Sequence, residues 1–222
     1  MRSWWNRPGA SAARTASRAP NALSRRNRVT PYGDIVMSPL RGRWMGNRGC
    51  LHRGYDIVRP WNGKRWIICA LEFKGWTAPK WAPGRWTALF FHDEAVAFAA
   101  GHRPCALCRR ADYVRYCAPL GAPGADALAA RLHRERLDGR RKRLHAAAWR
   151  DVPAGAFVDV DGVAHLVLPD RLRSWNAESG YGTERTRPRR GDARVLTPPA
   201  SVEVLRAGYD ARYGLPLPPA AP

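Results

Sequence analysis

Acidic residues are scarce in this chain: 18 Asp and Glu face 38 Lys and Arg across 222 residues, a formal net charge of +20. That deficit rules out a self-neutralising surface. A field of one sign attracts polyanions and raises their encounter rate. Long hydrophobic runs are missing too. No stretch approaches the ~18 apolar residues of a membrane span, and the amino-terminal segment lacks the apolar core of a secretory signal. No membrane partner is expected. Cysteine is sparse and odd in number, with five residues in the chain. A chain this long with so few cysteines is no disulfide framework, so a reducing, cytoplasmic setting is expected. There is no Gly-rich phosphate loop, nucleophile elbow or His-Glu-x-x-His. The sequence therefore names no catalytic residue and points to no small-molecule cofactor.

What is present divides the chain unevenly. Residues 1–28 carry seven Arg and no acid and read as a disordered basic arm. Residues 29–119 read as a β-rich domain. Within them Asn62-Gly63 separates two apolar stretches, 55–58 and 66–73, and Asn-Gly is a strong hairpin signal because both turn residues tolerate positive φ. The segment 75–88, with its Pro, Gly and Trp, reads as a loop. Leu89-Phe90-Phe91 predicts a short buried strand. Asp93 suits the N-cap of a helix over 95–100, which Gly101 stops. Pro104 suits the first turn of a second helix that reaches about Tyr116 and ends before Pro119. Residues 120–150 read as a linker and a basic helical segment. Residues 151–214 form a smaller β-rich unit, with a hairpin turn at Asp161-Gly162 and a terminal helix opened by Thr197-Pro198 and closed by Gly208. A Pro-rich tail covers 215–222. The expected fold class is α+β: a β-hairpin domain with a Cys-x-x-Cys helix, a basic helical connector and a small C-terminal β unit.

Cys105 and Cys108 form the most specific chemical feature. Two thiolates at this spacing can grip one tetrahedral metal, with Zn–S near ~2.3 Å. A helix N-terminus favours the thiolate, and Arg103, Arg109 and Arg110 act in the same direction. Cys69 and then Cys50 are the candidates to complete the set, with His92 and His102 as nearby alternatives. Cys117, at a helix end, reads as structural. The expected hairpin would set Cys69 opposite Asp56 and leave Cys50 about 20 Å away at ~3.3 Å per residue. Only a bend at Gly54 would bring it back. The cofactor expected is structural zinc.

Residues 90–109, from Phe90-Phe91-His92-Asp93-Glu94-Ala95 to Gly101-His102-Arg103-Pro104-Cys105-Ala106-Leu107-Cys108-Arg109, resemble the second half of the Ada-type zinc-binding domain. The resemblance implies two of four zinc ligands here and a DNA-binding, methylphosphotriester-repair setting. It also implies a first Cys pair some thirty residues upstream, one of which accepts the methyl group. The corresponding stretch here, 75–80, holds no Cys.

The basic clusters point to nucleic acid, DNA ahead of RNA, with Arg103, Arg109 and Arg110 beside the cysteines counted among its expected contacts. Trp81 and Trp86 lie beside Lys80 and Arg85, where bases could stack while cations hold phosphate. Arg140, Arg141, Lys142 and Arg143 follow a Gly and are expected on the surface, where each neutralised phosphate would release counterions. The function expected is a zinc-stabilised nucleic-acid-binding protein. The alternatives are a DNA-modifying or repair enzyme and a metal-stabilised module for protein interaction.

Overall fold

Alternation of apolar side chains along short β-branched and aromatic runs builds two sheets, and a buried, largely apolar helix joins them. The computed structural model describes residues 26–75 and 81–214; most of the expected arm, the tail 215–222 and Lys80 lie outside them. In chain order the strands are Arg28–Val29 (β1), Ile35–Val36 (β2), Trp44–Asn47 (β3), His52–Arg53 (β4), Asp56–Ile57 (β5), Ile67–Cys69 (β6) and Leu89–Phe91 (β7). Helix Glu94–Ala99 (α1), strand Arg103–Pro104 (β8) and helices Arg110–Cys117 (α2) and Ala125–Arg136 (α3) follow. Then come Leu137–Asp138 (β9), Arg141–Lys142 (β10), His145–Ala148 (β11), Phe157–Val160 (β12), Val163–Val167 (β13), Arg171–Asn176 (β14), Gly180–Thr186 (β15), Asp192–Val195 (β16) and Pro199–Arg206 (α4). The fold class is α+β.

The first sheet runs β2-β1-β7-β3-β6-β8, with parallel pairs at β1/β7 and β6/β8. The second runs β11-β16-β12-β13-β14-β15 and is antiparallel throughout. The Asp161-Gly162 turn joins β12 to β13 as expected, with φ of +54° and +81°.

Helix α1 is buried on every side, its Ala, Val and Phe residues all apolar and its one polar residue, Glu94, paired with Arg109. Asp93 caps it, accepting a hydrogen bond from the Val96 N–H at 2.9 Å. One cluster of buried apolar side chains spans Val29 to Ala211, so both sheets share a core. Polar bonds also cross between the halves: Tyr181 donates to Asp93 at 2.5 Å, Tyr209 to Glu94 at 3.0 Å and Tyr32 to Asp159 at 2.5 Å.

The first sheet has two occupied faces. Trp44, Ile68, Leu89 and Phe91 face the shared core. Met45, Ile67, Cys69, Ala88 and Phe90 face a second, smaller cluster with Cys105 and Cys108. Gly46 lies on the shared-core side, where an added Cβ would sit 2.5 Å from the Phe91 ring.

Three local expectations give way to longer-range pairing. Asn62-Gly63 makes no hairpin. Residues 56–57 pair with β4 across Gly54-Tyr55, and β6 pairs with β3 and β8 instead. Asn62 docks on the end of β3, its N–H on the Arg48 carbonyl at 2.8 Å. Pro104 lies in β8 rather than a helix, because β6 uses that edge, and α2 begins at Arg110. The basic run 140–143 does not extend a helix: it forms the β9–β10 hairpin, with Arg141 opposite Asp138.

Candidate metal centre and cationic cavity

The pairing of β6 with β8 carries the Cys-x-x-Cys turn to the strand that bears Cys69. The Cys105 N–H bonds the Ile68 carbonyl at 2.9 Å, fixing the turn on β6. The Arg109 N–H then bonds the Cys105 carbonyl at 3.2 Å and closes the turn ahead of α2. The three sulfurs of Cys69, Cys105 and Cys108 lie within 4.8 Å of one another. Met45, Ala88 and the partly buried Trp86 and Phe90 pack around them.

Hydrogen bonding sorts the three thiols. Donation from Cys108, then from Cys69, pulls the Cys105 thiol down to about 2. The Leu107 N–H adds a bond to that sulfur at 3.4 Å. Its neighbours move oppositely: Cys108 rises to about 11, and Cys69 rises well above the usual thiol range, both chiefly through hydrogen bonds within the trio. Three sulfurs this close, with their protons shared among them, could hold a metal ion. A divalent cation at their centre would replace the shared protons.

Cys50 stands outside this set, its thiol directed at the His52 carbonyl at 3.8 Å. Beyond Met45, which pairs with Cys69, the chain leaves the sheet and turns at Gly49, which carries Cys50 away. His92 packs against Trp175 and Tyr181, and His102 is enclosed by Trp66 and Phe91. Cys117 lies in the shared core. Among the described residues no fourth Cys, His, Asp or Glu joins the trio, and segments 1–25, 76–80 and 215–222 contain none of those types.

The residues expected to meet nucleic acid divide by burial. Arg103 and Arg109 are buried, as is Trp81. Arg103 donates to the Pro104 carbonyl at 2.9 Å and lies over Tyr113. Arg109 lies 2.6 Å from Glu94 and 2.5 Å from Asp112 and covers the Trp44 ring at 3.8 Å. Burial works against its charge, but the two carboxylates outweigh it and the Arg109 pKa rises. Trp81 packs edge-on to His52 with centroids 5.0 Å apart. These three are internal structure, not a phosphate-binding surface. Arg110, Arg140, Arg141 and Arg143 are exposed, and Trp86 is partly buried beside the cysteines.

A second internal cationic group had no distinct signal in the sequence. Arg48 and Arg136 are almost fully buried, and both guanidinium carbons lie 3.8 Å from the Trp66 ring. Arg48 donates to His102 Nε2 at 3.1 Å and to the Gly33 carbonyl at 2.8 Å. Arg136 donates to the carbonyls of Gly101 at 3.0 Å and Lys64 at 2.9 Å, and Lys142 donates to that of Ala99. Two of these carbonyls lie at the C-terminal end of α1, where cations are favoured. Among the described residues none of the three cations is in an ion pair. Burial lowers the pKa of each, and that of Lys142 falls to about 7. In a chain with 38 Lys and Arg, nothing local marked Arg48 and Arg136 as different, and Lys142, expected on the surface to meet nucleic acid, is only partly exposed and donates inward to Ala99.

All three line a cavity of about 650 Å³, whose wall also holds the exposed Arg140 and Arg141 and the half-buried Trp61. Among the described residues, no helix is long and apolar enough to cross a membrane. No family model, curated protein or solved structure matches the chain.

Proposed function

We propose that this is a zinc-thiolate protein that binds nucleic acid, with DNA the favoured partner. The meeting of Cys69, Cys105 and Cys108 carries the metal half of this reading. An all-sulfur donor set suits a soft or borderline cation, and zinc is the common one. Such a site ties β6 to the turn before α2, and its binding free energy becomes folding free energy. The likeness of residues 90–109 to the Ada-type zinc-binding domain supports the same metal. The net charge of +20 and the exposed Arg110, Arg140, Arg141 and Arg143 support a polyanionic partner.

Metal content of the purified chain tests the first half. Wild type is expected to carry one zinc per chain. Cys105→Ser/Cys108→Ser is expected to lose both the metal and the cooperative unfolding transition at its original temperature. A metal-free wild type that folds normally ends this half of the proposal. Titration of DNA and RNA against salt tests the second. The logarithm of affinity is expected to fall linearly with that of salt concentration. A complex indifferent to salt would instead point to a protein partner.

One observation favours a second reading. Three protein ligands leave a coordination position for water or substrate, the arrangement of reactive zinc sites rather than closed structural ones. A DNA-modifying or repair enzyme is that alternative, with alkyl transfer or hydrolysis as its chemistry. Product formation from alkylated or intact DNA by the zinc-loaded chain, lost on Cys108→Ser, distinguishes it.

A further inference from the structure

Among the described residues, the cavity walled by Arg48, Arg136 and Lys142 brings three cations together without an acid among their hydrogen-bond partners, whereas Arg103, also buried and outside the ion pairs, lies over Tyr113 away from that wall. Buried cations ordinarily meet carboxylates, because an unpaired charge taken out of water is expensive. Here three cations converge, and their partners are neutral: backbone carbonyls and imidazole nitrogens. Asp34, the acid on the wall, is exposed and forms no ion pair with them. Arg48 Nη2 and Arg136 Nε are buried without any hydrogen-bond partner. The unpartnered Nη2 sits beside Gly33, another residue of the wall, 3.7 Å from where a Cβ would stand. Each of the two guanidiniums therefore keeps one buried nitrogen donor without an acceptor, its other nitrogens being spent on carbonyls and imidazoles.

We propose that this cavity binds the phosphate of a nucleotide, held by Arg48, Arg136 and Lys142 with Trp61 as the ring for its base. Guanidinium groups suit phosphate because their planar N–H forks match its oxygens. The volume, about 650 Å³, lies within the range of small-molecule sites. Trp66 is covered by the two guanidiniums, whereas Trp61 is only half-buried, lines the cavity and leans on Trp66 with ring centroids 5.8 Å apart. Arg140 and Arg141, on the β9–β10 hairpin, extend the positive wall to the exterior. A nucleotide can arrive free or as the terminal residue of a strand. In the second case the cavity deepens the nucleic-acid reading and rests on it; in the first it stands alone.

The tryptophans in the wall supply the measurement. Adenosine monophosphate, inorganic phosphate and a short single strand with or without a terminal phosphate are titrated into the full zinc-loaded chain while tryptophan fluorescence is followed. Saturable quenching by adenosine monophosphate, reversed by inorganic phosphate, is expected. Arg48→Met should weaken it about tenfold or more, the scale of a lost charge-assisted bond to a charged group. Arg140→Glu/Arg141→Glu, on exposed positions that the fold does not need, should weaken it several-fold and guards against a folding defect in Arg48→Met. Tighter binding of the phosphorylated strand than of its unphosphorylated twin assigns the strand as the source; tighter binding of the mononucleotide assigns the free ligand. No saturable response to any phosphorylated probe, or variants that respond like wild type, overturns the proposal. If strands still bind in a salt-dependent way after that result, the nucleic-acid reading survives its failure. If the mononucleotide binds and strands do not, the cavity survives the failure of that reading.

Discussion

Two buried arginine sites show how differently one chain can treat the same side chain. Arg109 and Arg48 are both buried, and each guanidinium lies 3.8 Å from a tryptophan ring, Trp44 in one case and Trp66 in the other. Arg109 meets Glu94 and Asp112, and its pKa rises. Arg48 meets carbonyls and a histidine, has Arg136 and Lys142 as companions, and its pKa falls. The first site is charge-balanced, although Arg109 Nη1 and Glu94 Oε2 are also buried without a hydrogen-bond partner, and it ties the Cys-bearing turn to α1. The second is rigid but short of negative charge. A cation that the fold itself neutralises serves stability, whereas one left with neutral partners is available to a ligand.

Removing an acid from the charge-balanced site should have the larger effect. Glu94→Gln leaves Arg109 with only Asp112 in a dry interior, and a loss of about 3 kcal/mol or more is expected in denaturant unfolding. Arg48→Met should behave differently. It frees carbonyls but also removes an unpaired buried charge, so stability should change by no more than about 1 kcal/mol in either direction. If the two substitutions cost the same, the distinction between the sites fails.

A pH dependence separates the sites in a different way. Lys142 falls to about 7 in the folded chain, mainly through burial, from an ordinary value of 10.5. Below the folded value both states hold the proton and the burial penalty is complete. Above it the folded state releases the proton while the unfolded state keeps it, so stability should rise with pH from about 7 towards 10.5. Lys142→Met should flatten that rise in melting curves taken across the window, and saturating inorganic phosphate should reduce it by holding the ammonium charged.

Much of the local structure could be read directly from the residues. Asp93 as a cap, Gly101 as a stop, Leu89–Phe91 as a strand and Asp161-Gly162 as a turn depend on neighbours within a few positions, and short-range rules reach that far. Asn62-Gly63 and Pro104 misled because β6 takes its partners from β3 and β8, outside its own neighbourhood. The Cys-x-x-Cys pair and Cys69 were legible as candidates, and the fold brings all three together. Whether Cys50 joined them depended on the path after β3, which no spacing encodes. The cationic cavity was hidden for another reason. Arg48 and Arg136 look like any other arginines until the fold brings both to Trp66.

The two occupied faces of the first sheet have a consequence for how the chain reaches its native pairing. Strand β6 presents Ile68 to the shared core and Cys69 to the sulfur cluster. A slip of one residue against β3 would exchange them, sending sulfur into the oily interior and isoleucine towards the ligands. Either neighbour could satisfy the backbone ladder, but only one alignment assembles three thiols. A metal captured there would act as a proofreading step in folding, rewarding the correct alignment of a short strand whose own hydrogen bonds barely distinguish it from its neighbours.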